Sequence, residues 1–124
     1  MSRPTILIVD DVPTIRTLLS RVLTTRGYHV IAAASGQEAL RLARQYSPAL
    51  ILLDLGLPGL DGWEVARCVR ADPALEEIPI IAMTGYGIFS AIRAAQEAGC
   101  QQVLRKPIDL DELEQQVDLF VTPS

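Results

Sequence analysis

The chain lacks any hydrophobic run long enough to cross a membrane. Its longest unbroken apolar stretches, such as Ala49–Leu53, extend over a handful of residues, whereas a membrane-spanning helix needs ~20. The first residues, Met1–Pro4, lead directly into a strand-like segment and carry none of the features of a signal peptide or transit segment. We therefore expect a cytoplasmic protein that does not contact a membrane.

The chain also has few cysteines and lysines, and no excess of positive charge. The two cysteines, Cys68 and Cys100, lie far apart and match no zinc or redox spacing. The 11 basic residues stand against 15 acidic ones, for a formal net charge of −4, so the basic excess typical of nucleic-acid-binding proteins is missing. Lys106 is the only lysine beside ten arginines. Because lysine is a compact point charge and arginine a flat fork, Lys106 is a candidate functional residue.

The length and composition indicate one globular domain. The chain has 124 residues, of which 49% are hydrophobic and 21% charged, and typical domains run ~100–200 residues. No repeat, low-complexity tract or linker divides it, so we expect a single domain over residues 1–124. The last predicted helix ends near Thr122, and we therefore expect no output domain and a partner that is reached in trans.

Five apolar runs of strand length alternate with five helical patterns. The runs are Ile6–Val9, Val30–Ala34, Leu50–Leu53, Ile80–Met83 and Val103–Leu104. They are mostly continuous rather than alternating, which indicates strands buried on both faces. The predicted fold class is α/β, a (βα)5 doubly wound five-stranded parallel sheet. We adopt the flavodoxin-like strand order 2-1-3-4-5 because it is common for five strands.

Turn and cap residues agree with these boundaries. Pro13 is predicted at the start of the first helix, where its missing N–H is harmless. Gly27 and Gly99 follow helical patterns and are predicted left-handed caps. Asp109 is the predicted N-cap of the last helix.

Polar residues follow four of the five strands. Asp10 and Asp11 follow the first strand, Asp54 ends the third, Thr84 ends the fourth, and Lys106 follows the fifth. In the assumed strand order these four strands are neighbours, so their polar residues converge at the carboxyl edge where α/β sheets bind ligands. Crowded carboxylates repel one another unless a cation offsets them. Mg²⁺ prefers such oxygen ligands, and a carboxylate can also act as a nucleophile that forms an aspartyl-phosphate.

These motifs resemble the receiver domain of two-component response regulators over nearly the whole chain. The segment Ile6–Asp11 is similar to the strand of that family that ends in an acidic pair. Leu52–Gly62 is similar to its phospho-acceptor signature, in which Asp is followed by Pro and then Asp-Gly. Thr84–Gly85 and Lys106–Pro107 complete the set.

The resemblance implies a phospho-acceptor and a metal site. Asp54 would accept a phosphoryl group from the phosphohistidine of a sensor kinase or phosphotransfer protein. Asp11, Asp54 and the backbone carbonyl of Gly56 would bind Mg²⁺ (or Mn²⁺), and Asp10 would act directly or through a water. The protein would then be no conventional enzyme, beyond its self-catalysed phosphotransfer and dephosphorylation.

The resemblance also implies phosphate-binding and switching residues. Thr84 and Gly85 would bind the phosphoryl oxygens together with Lys106, and Thr84 would shift on activation. The Lys106–Pro107 peptide bond would be cis, which holds for only ~5–6% of such bonds in folded proteins.

The fifth strand departs from the family pattern. Val103 stands where the family usually has a switch aromatic, and Val cannot rotate in and out as a ring does. We therefore expect Tyr86, on the loop after Thr84, to help carry the signal. The expected output face is formed by the fourth helix, fifth strand and fifth helix of a monomer or weak dimer.

Two other interpretations remain open. The chain could be a receiver-shaped interaction module that never turns over phosphate, although such modules usually lack part of the acidic pair, the acceptor or the lysine. It could also be a receiver domain cut from a hybrid histidine kinase. Labelling by a small phosphodonor in the presence of Mg²⁺ discriminates the active domain from the inert module.

Overall fold

Strands and helices alternate along the chain. The computed structural model describes residues 3–57, 59, 61–85 and 88–121, with the backbone alone for 88–91. The strands are β1 (Thr5–Val9), β2 (His29–Ala33), β3 (Leu50–Asp54), β4 (Ile80–Thr84) and β5 (Gln102–Arg105). The helices are α1 (Pro13–Thr25), α2 (Gly36–Tyr46), α3 (Gly62–Ala71), α4 (Ile88–Glu97) and α5 (Leu110–Phe120).

The five strands form one parallel sheet in the order β2-β1-β3-β4-β5. This confirms the predicted fold class and strand order. The strand bounds differ from the apolar runs by about one residue, as Ala34 shows, because its N–H donates to Glu38 Oε1 at 3.0 Å instead of extending β2. Within the described part of the chain, no helix has the length and apolar character needed to cross a membrane.

Each strand supplies side chains to two hydrophobic clusters, one on each face of the sheet. In β1, Leu7 and Val9 belong to one cluster, and Ile6 and Ile8 belong to the other. Alternate strand residues point to opposite faces, so both faces must be covered. Helices α2, α3 and α4 cover the Leu7 face, while α1 and α5 cover the Ile6 face. The continuous apolar runs are explained by this burial on both sides.

The predicted caps are confirmed. Pro13 occupies the first turn of α1, and the Asp109 side chain accepts hydrogen bonds from the first turn of α5. Gly27 and Gly99 have φ values of 99° and 92°, a left-handed conformation that costs glycine little and other residues more. Ser35 caps α2 by accepting from Glu38 N at 3.2 Å.

A buried tyrosine fastens α5 to the end of α1. The Tyr28 side chain is fully buried, and its hydroxyl lies 2.7 Å from both Asp118 Oδ1 and the Val121 carbonyl. Burial and then the hydrogen bond to Asp118 raise the pKa of Tyr28 above its usual range. Arg26 pairs with Asp118 on the outer side of this contact. The end of α5 is therefore held to the amino-terminal edge of the sheet.

We expect Tyr28→Phe to lower the free energy of unfolding by ~1–3 kcal/mol, because it leaves a buried carbonyl at Val121 without its donor. Tyr46→Phe is the matched control, since Tyr46 is 46% exposed at the end of α2 and its change should stay within ~0.5 kcal/mol. Urea denaturation of both variants measures the difference. Equal stabilities would show that the Tyr28 hydroxyl contributes nothing.

Candidate functional site

Three carboxylates meet at the carboxyl-terminal edge of the sheet. Asp10 and Asp11 follow β1, and Asp54 ends β3, the neighbouring strand. One carboxylate oxygen of each residue lies within 4.8 Å of the other two. The strand order thus brings together the acidic residues that the sequence analysis assigned to one edge.

Asp10 and Asp11 differ sharply in their surroundings. Asp10 is fully buried, and its two carboxylate oxygens accept from Val12 N and Lys106 Nζ, each at 2.9 Å. Asp11 is exposed, and no hydrogen bond joins its carboxylate to any residue that the structure describes. The carboxylate of Asp11 is therefore the more accessible to a ligand from solvent.

Lys106 is the cation of the site. Its Nζ lies 2.9 Å from Asp10 Oδ2 and 3.2 Å from Asp54 Oδ2. Burial opposes the charge on Lys106, but the hydrogen bond to Asp10 and the negative charges of both carboxylates outweigh it, so the pKa of Lys106 is raised. The Lys106 backbone N–H donates to the Thr84 carbonyl at 2.7 Å, and the Lys106–Pro107 peptide bond is cis. The lysine is thus charged at neutral pH and anchored at its backbone.

Asp54 lies at the centre of this arrangement and is only 5% exposed. Burial raises the pKa of its carboxyl group most strongly. The Gly56 N–H, which donates to Asp54 Oδ1 at 2.9 Å, and the Lys106 charge act in the opposite direction, while the Asp10 charge adds to the rise. The net effect is a raised pKa, because desolvation disfavours a carboxylate charge.

The donor set fits a small, hard divalent cation. Carboxylate and carbonyl oxygens are the ligands that Mg²⁺ and Mn²⁺ prefer, and the cluster of Asp10, Asp11 and Asp54 contains neither His nor Cys. Three negative charges against the one on Lys106 leave a net formal charge of −2. Gly56, in the loop after β3, carries a further carbonyl oxygen close by in the chain.

Gly62 packs against the backbone of the residue that ends β3. A Cβ atom at this position would lie 2.4 Å from the Asp54 carbonyl oxygen and 2.6 Å from Leu55 Cα. Only glycine permits α3 to approach the loop so closely. Gly62 was identified in the sequence as part of a motif, but its steric reason depends on the contact between α3 and β3.

The remaining predicted site residues lie on β4 and β5. Thr84 ends β4 and is 2% exposed, and Gly85 follows it with an exposed backbone. Val103 is half-buried in β5, opposite Ala82 of β4, and packs against the Leu7-face cluster. Tyr86, the predicted carrier of the switch, lies outside the described residues.

Arg16 is a site contact that the sequence analysis missed. Its guanidinium donates to the Asp10 carbonyl oxygen at 2.8 Å. The one signal in the sequence was a cation in the first turn of a helix, where the helix dipole disfavours positive charge.

Comparison with known proteins identifies the family. The model of the response regulator receiver domain family matches residues 6–118. The chain belongs to this family. A receiver domain is a signalling module of two-component systems rather than a conventional enzyme.

Similar proteins include other receiver domains of about this size. Sporulation initiation phosphotransferase F of Bacillus subtilis is 37% identical over 121 residues, which are 98% of this chain and 96% of that protein. The polar-differentiation response regulator DivK of Brucella ovis is 35% identical over 105 residues, 85% of each chain. The structure of the chemotaxis protein CheY4 of Vibrio cholerae superposes with a TM-score of 0.91 at 28% identity, covering 97% of this chain and all of that one.

We expect Gly62→Ala to destabilise this receiver domain by ~1–3 kcal/mol, because the added methyl group forces α3 away from the Asp54 backbone. Gly85→Ala is the control, since no atom of the residues that the structure describes lies within 4 Å of a Cβ atom there, and its effect should stay within ~0.5 kcal/mol. Chemical denaturation measures both. A Gly62→Ala variant as stable as Gly85→Ala would contradict the close approach.

Proposed function

We propose that this receiver domain accepts a phosphoryl group on Asp54 from the phosphohistidine of a sensor histidine kinase or a histidine phosphotransfer protein. The main support for this proposal is the position of Asp54. This carboxylate is nearly buried at the end of β3, within the acidic cluster and 3.2 Å from the Lys106 ammonium. A carboxylate that is held in place and partly desolvated is suited to nucleophilic attack on phosphorus.

The transfer forms one bond and breaks one. A carboxylate oxygen of Asp54 attacks the phosphorus, the new O–P bond forms, and the N–P bond of the phosphohistidine breaks. The imidazole nitrogen leaves with the electron pair. Negative charge then spreads over the three phosphoryl oxygens, and catalysis consists mainly of positioning and of stabilising that charge.

Three residues of this chain are the proposed donors to those oxygens. Lys106 already contacts Asp54, and it would move from a carboxylate oxygen to a phosphoryl oxygen. Thr84 ends β4, the strand beside β3, and Gly85 follows it. The Thr84 hydroxyl and the Gly85 N–H are the proposed partners of the other phosphoryl oxygens. Thr84 would shift as this bond forms.

A divalent cation, Mg²⁺ or Mn²⁺, completes the proposed site. Asp11, Asp54 and the carbonyl of Gly56 would hold it, and Asp10 would contribute directly or through a water. When bound, the cation would offset the local charge of −2, and so lower the repulsion that an incoming phosphoryl group meets.

The comparisons support a role in protein-to-protein phosphotransfer. One similar protein is named a phosphotransferase of sporulation and another a response regulator. We propose a cytoplasmic single domain over residues 1–124 that reaches a downstream protein in trans, through the face of α4, β5 and α5. With Val103 in place of an aromatic ring, Thr84 and Tyr86 are the proposed switch residues.

We expect Asp54→Asn to abolish labelling by acetyl phosphate or phosphoramidate while the fold stays intact, because the amide removes the nucleophile. Asp61→Asn is the matched control. Asp61 caps α3 by accepting from Glu64 N at 3.0 Å, and Asn caps helices about as well as Asp. Labelling followed by mass spectrometry, with circular dichroism for the fold, tests both. Wild-type labelling of Asp54→Asn would exclude Asp54 as the acceptor, and an unlabelled wild type would favour the interaction module.

We expect Mg²⁺ to raise the free energy of unfolding by ~2–3 kcal/mol at ~100 times its Kd, because it binds only the folded state. Asp11→Asn should remove most of this gain. Glu77→Gln removes the same charge from an exposed residue before β4, at the opposite edge of the sheet, and should keep the gain. Thermal melts in Mg²⁺ and in EDTA measure the effect. A melting temperature that ignores Mg²⁺ in the wild type would contradict the metal site.

A further inference from the structure

Arg16 contacts a main-chain carbonyl rather than a carboxylate, as Arg70 does at the opposite edge of the sheet. It is half-buried in the first turn of α1, and its guanidinium donates to the Asp10 backbone carbonyl at 2.8 Å. Arg26, Arg44 and Arg93 each pair with a carboxylate instead. Arg16 forms no such ion pair with any residue in the described ranges.

Local preferences do not explain a cation at this position. The amino-terminal end of a helix carries partial positive charge, which disfavours a basic side chain there. The first turn of α1 has no acidic residue, and its N-cap, Val12, offers no side-chain cap. The contact with Asp10 is therefore what places the guanidinium against the preference of the helix.

The bond from Arg16 fixes the peptide that joins the two acidic residues. Peptide units are planar, so holding the Asp10 carbonyl oxygen orients the unit that leads into Asp11. The Asp10 N–H donates to the Ala33 carbonyl at 3.1 Å, and Val12 N donates to Asp10 Oδ1. Arg16 completes this set of hydrogen bonds. The Asp11 side chain makes no hydrogen bond to any residue in the described structure, so its position depends on the backbone around it.

We propose that Arg16 is a positioning residue for the cation site. By holding the Asp10 carbonyl, it fixes the loop between β1 and α1 that presents Asp10 and Asp11, and so strengthens divalent-cation binding. This inference rests on the proposed function.

Removing the charge of Arg16 and removing its hydrogen bond should change the affinity for Mg²⁺ in opposite directions. A positive charge near a cation site repels the cation. If only this charge mattered, replacing Arg16 with a neutral residue should therefore tighten Mg²⁺ binding. Loss of the hydrogen bond should loosen the loop and weaken binding. Arg21 is the matched control, because it is exposed on the same helix and makes no hydrogen bond or ion pair with the residues described here.

The test compares Arg16→Met, Arg16→Lys and Arg21→Met with the wild type. Methionine keeps the apolar stem and removes both the charge and the donors. The Kd for Mg²⁺ is measured by titration calorimetry and by the fluorescence of Trp63, the single tryptophan, at the start of α3. Acetyl phosphate labelling is then followed against Mg²⁺ concentration.

We expect Arg16→Met to weaken Mg²⁺ binding on the order of 10-fold, as supporting residues around metal sites commonly do. Arg16→Lys should recover part of the loss, and Arg21→Met should bind as the wild type or slightly tighter. Labelling by Arg16→Met should return at saturating Mg²⁺, because the nucleophile is untouched.

Binding by Arg16→Met as tight as by Arg21→Met overturns the inference while leaving the proposed function in place. A wild type that binds no Mg²⁺ overturns the proposed metal site and this inference with it. Melting in EDTA checks the fold of each variant. If Arg16→Met does not fold, Arg16→Lys decides: weaker binding than the wild type supports the inference, and equal binding overturns it.

Discussion

The Lys106 ammonium between Asp10 and Asp54 is the interaction on which the carboxyl edge of this sheet depends. Strands β1 and β3 are neighbours, so the acidic residues at their ends are forced together. Asp10 is fully buried and Asp54 nearly so, and two such carboxylates side by side are costly without a positive partner. Lys106 supplies that partner from the residue directly after β5, the strand beyond β4. The ion pairs therefore join three strands and keep the acidic cluster stable.

The loops around this cluster are held by contacts to the backbone. Gly62 allows α3 to pack on the Asp54 carbonyl, and the Gly56 N–H donates to the Asp54 carboxylate. Lys106 is bonded through its own N–H to Thr84. The carboxylates of Asp10 and Asp54 are held by main-chain N–H groups and by Lys106, and the Asp11 carboxylate makes no hydrogen bond to the residues that the structure describes.

The opposite edge of the sheet is closed by side chains that have no part in the site. Arg70 donates to the carbonyls of Gly99 and Glu76 and to the Gln101 side chain, at 2.7–3.0 Å. Tyr28 fastens the end of α5 in a similar way. A fold that is fixed at one edge can place its polar loops at the other, where parallel α/β sheets bind their ligands.

Much of this molecule follows from local sequence. Continuous apolar runs such as Leu50–Leu53 can be satisfied only between two layers of helices, and Pro13 and Asp109 mark helix starts through their own backbone chemistry. The sequence did not determine the strand order, which was assumed because it is common for five strands. The strand pairing in the sheet established it. The tertiary structure alone decided that Asp10 is buried while Asp11 is exposed, that Gly62 touches β3, and that Arg16 reaches the Asp10 carbonyl. The physical reason is that the local sequence pattern reflects the conformational preference of each segment. These contacts depend instead on which distant segments the fold places next to one another.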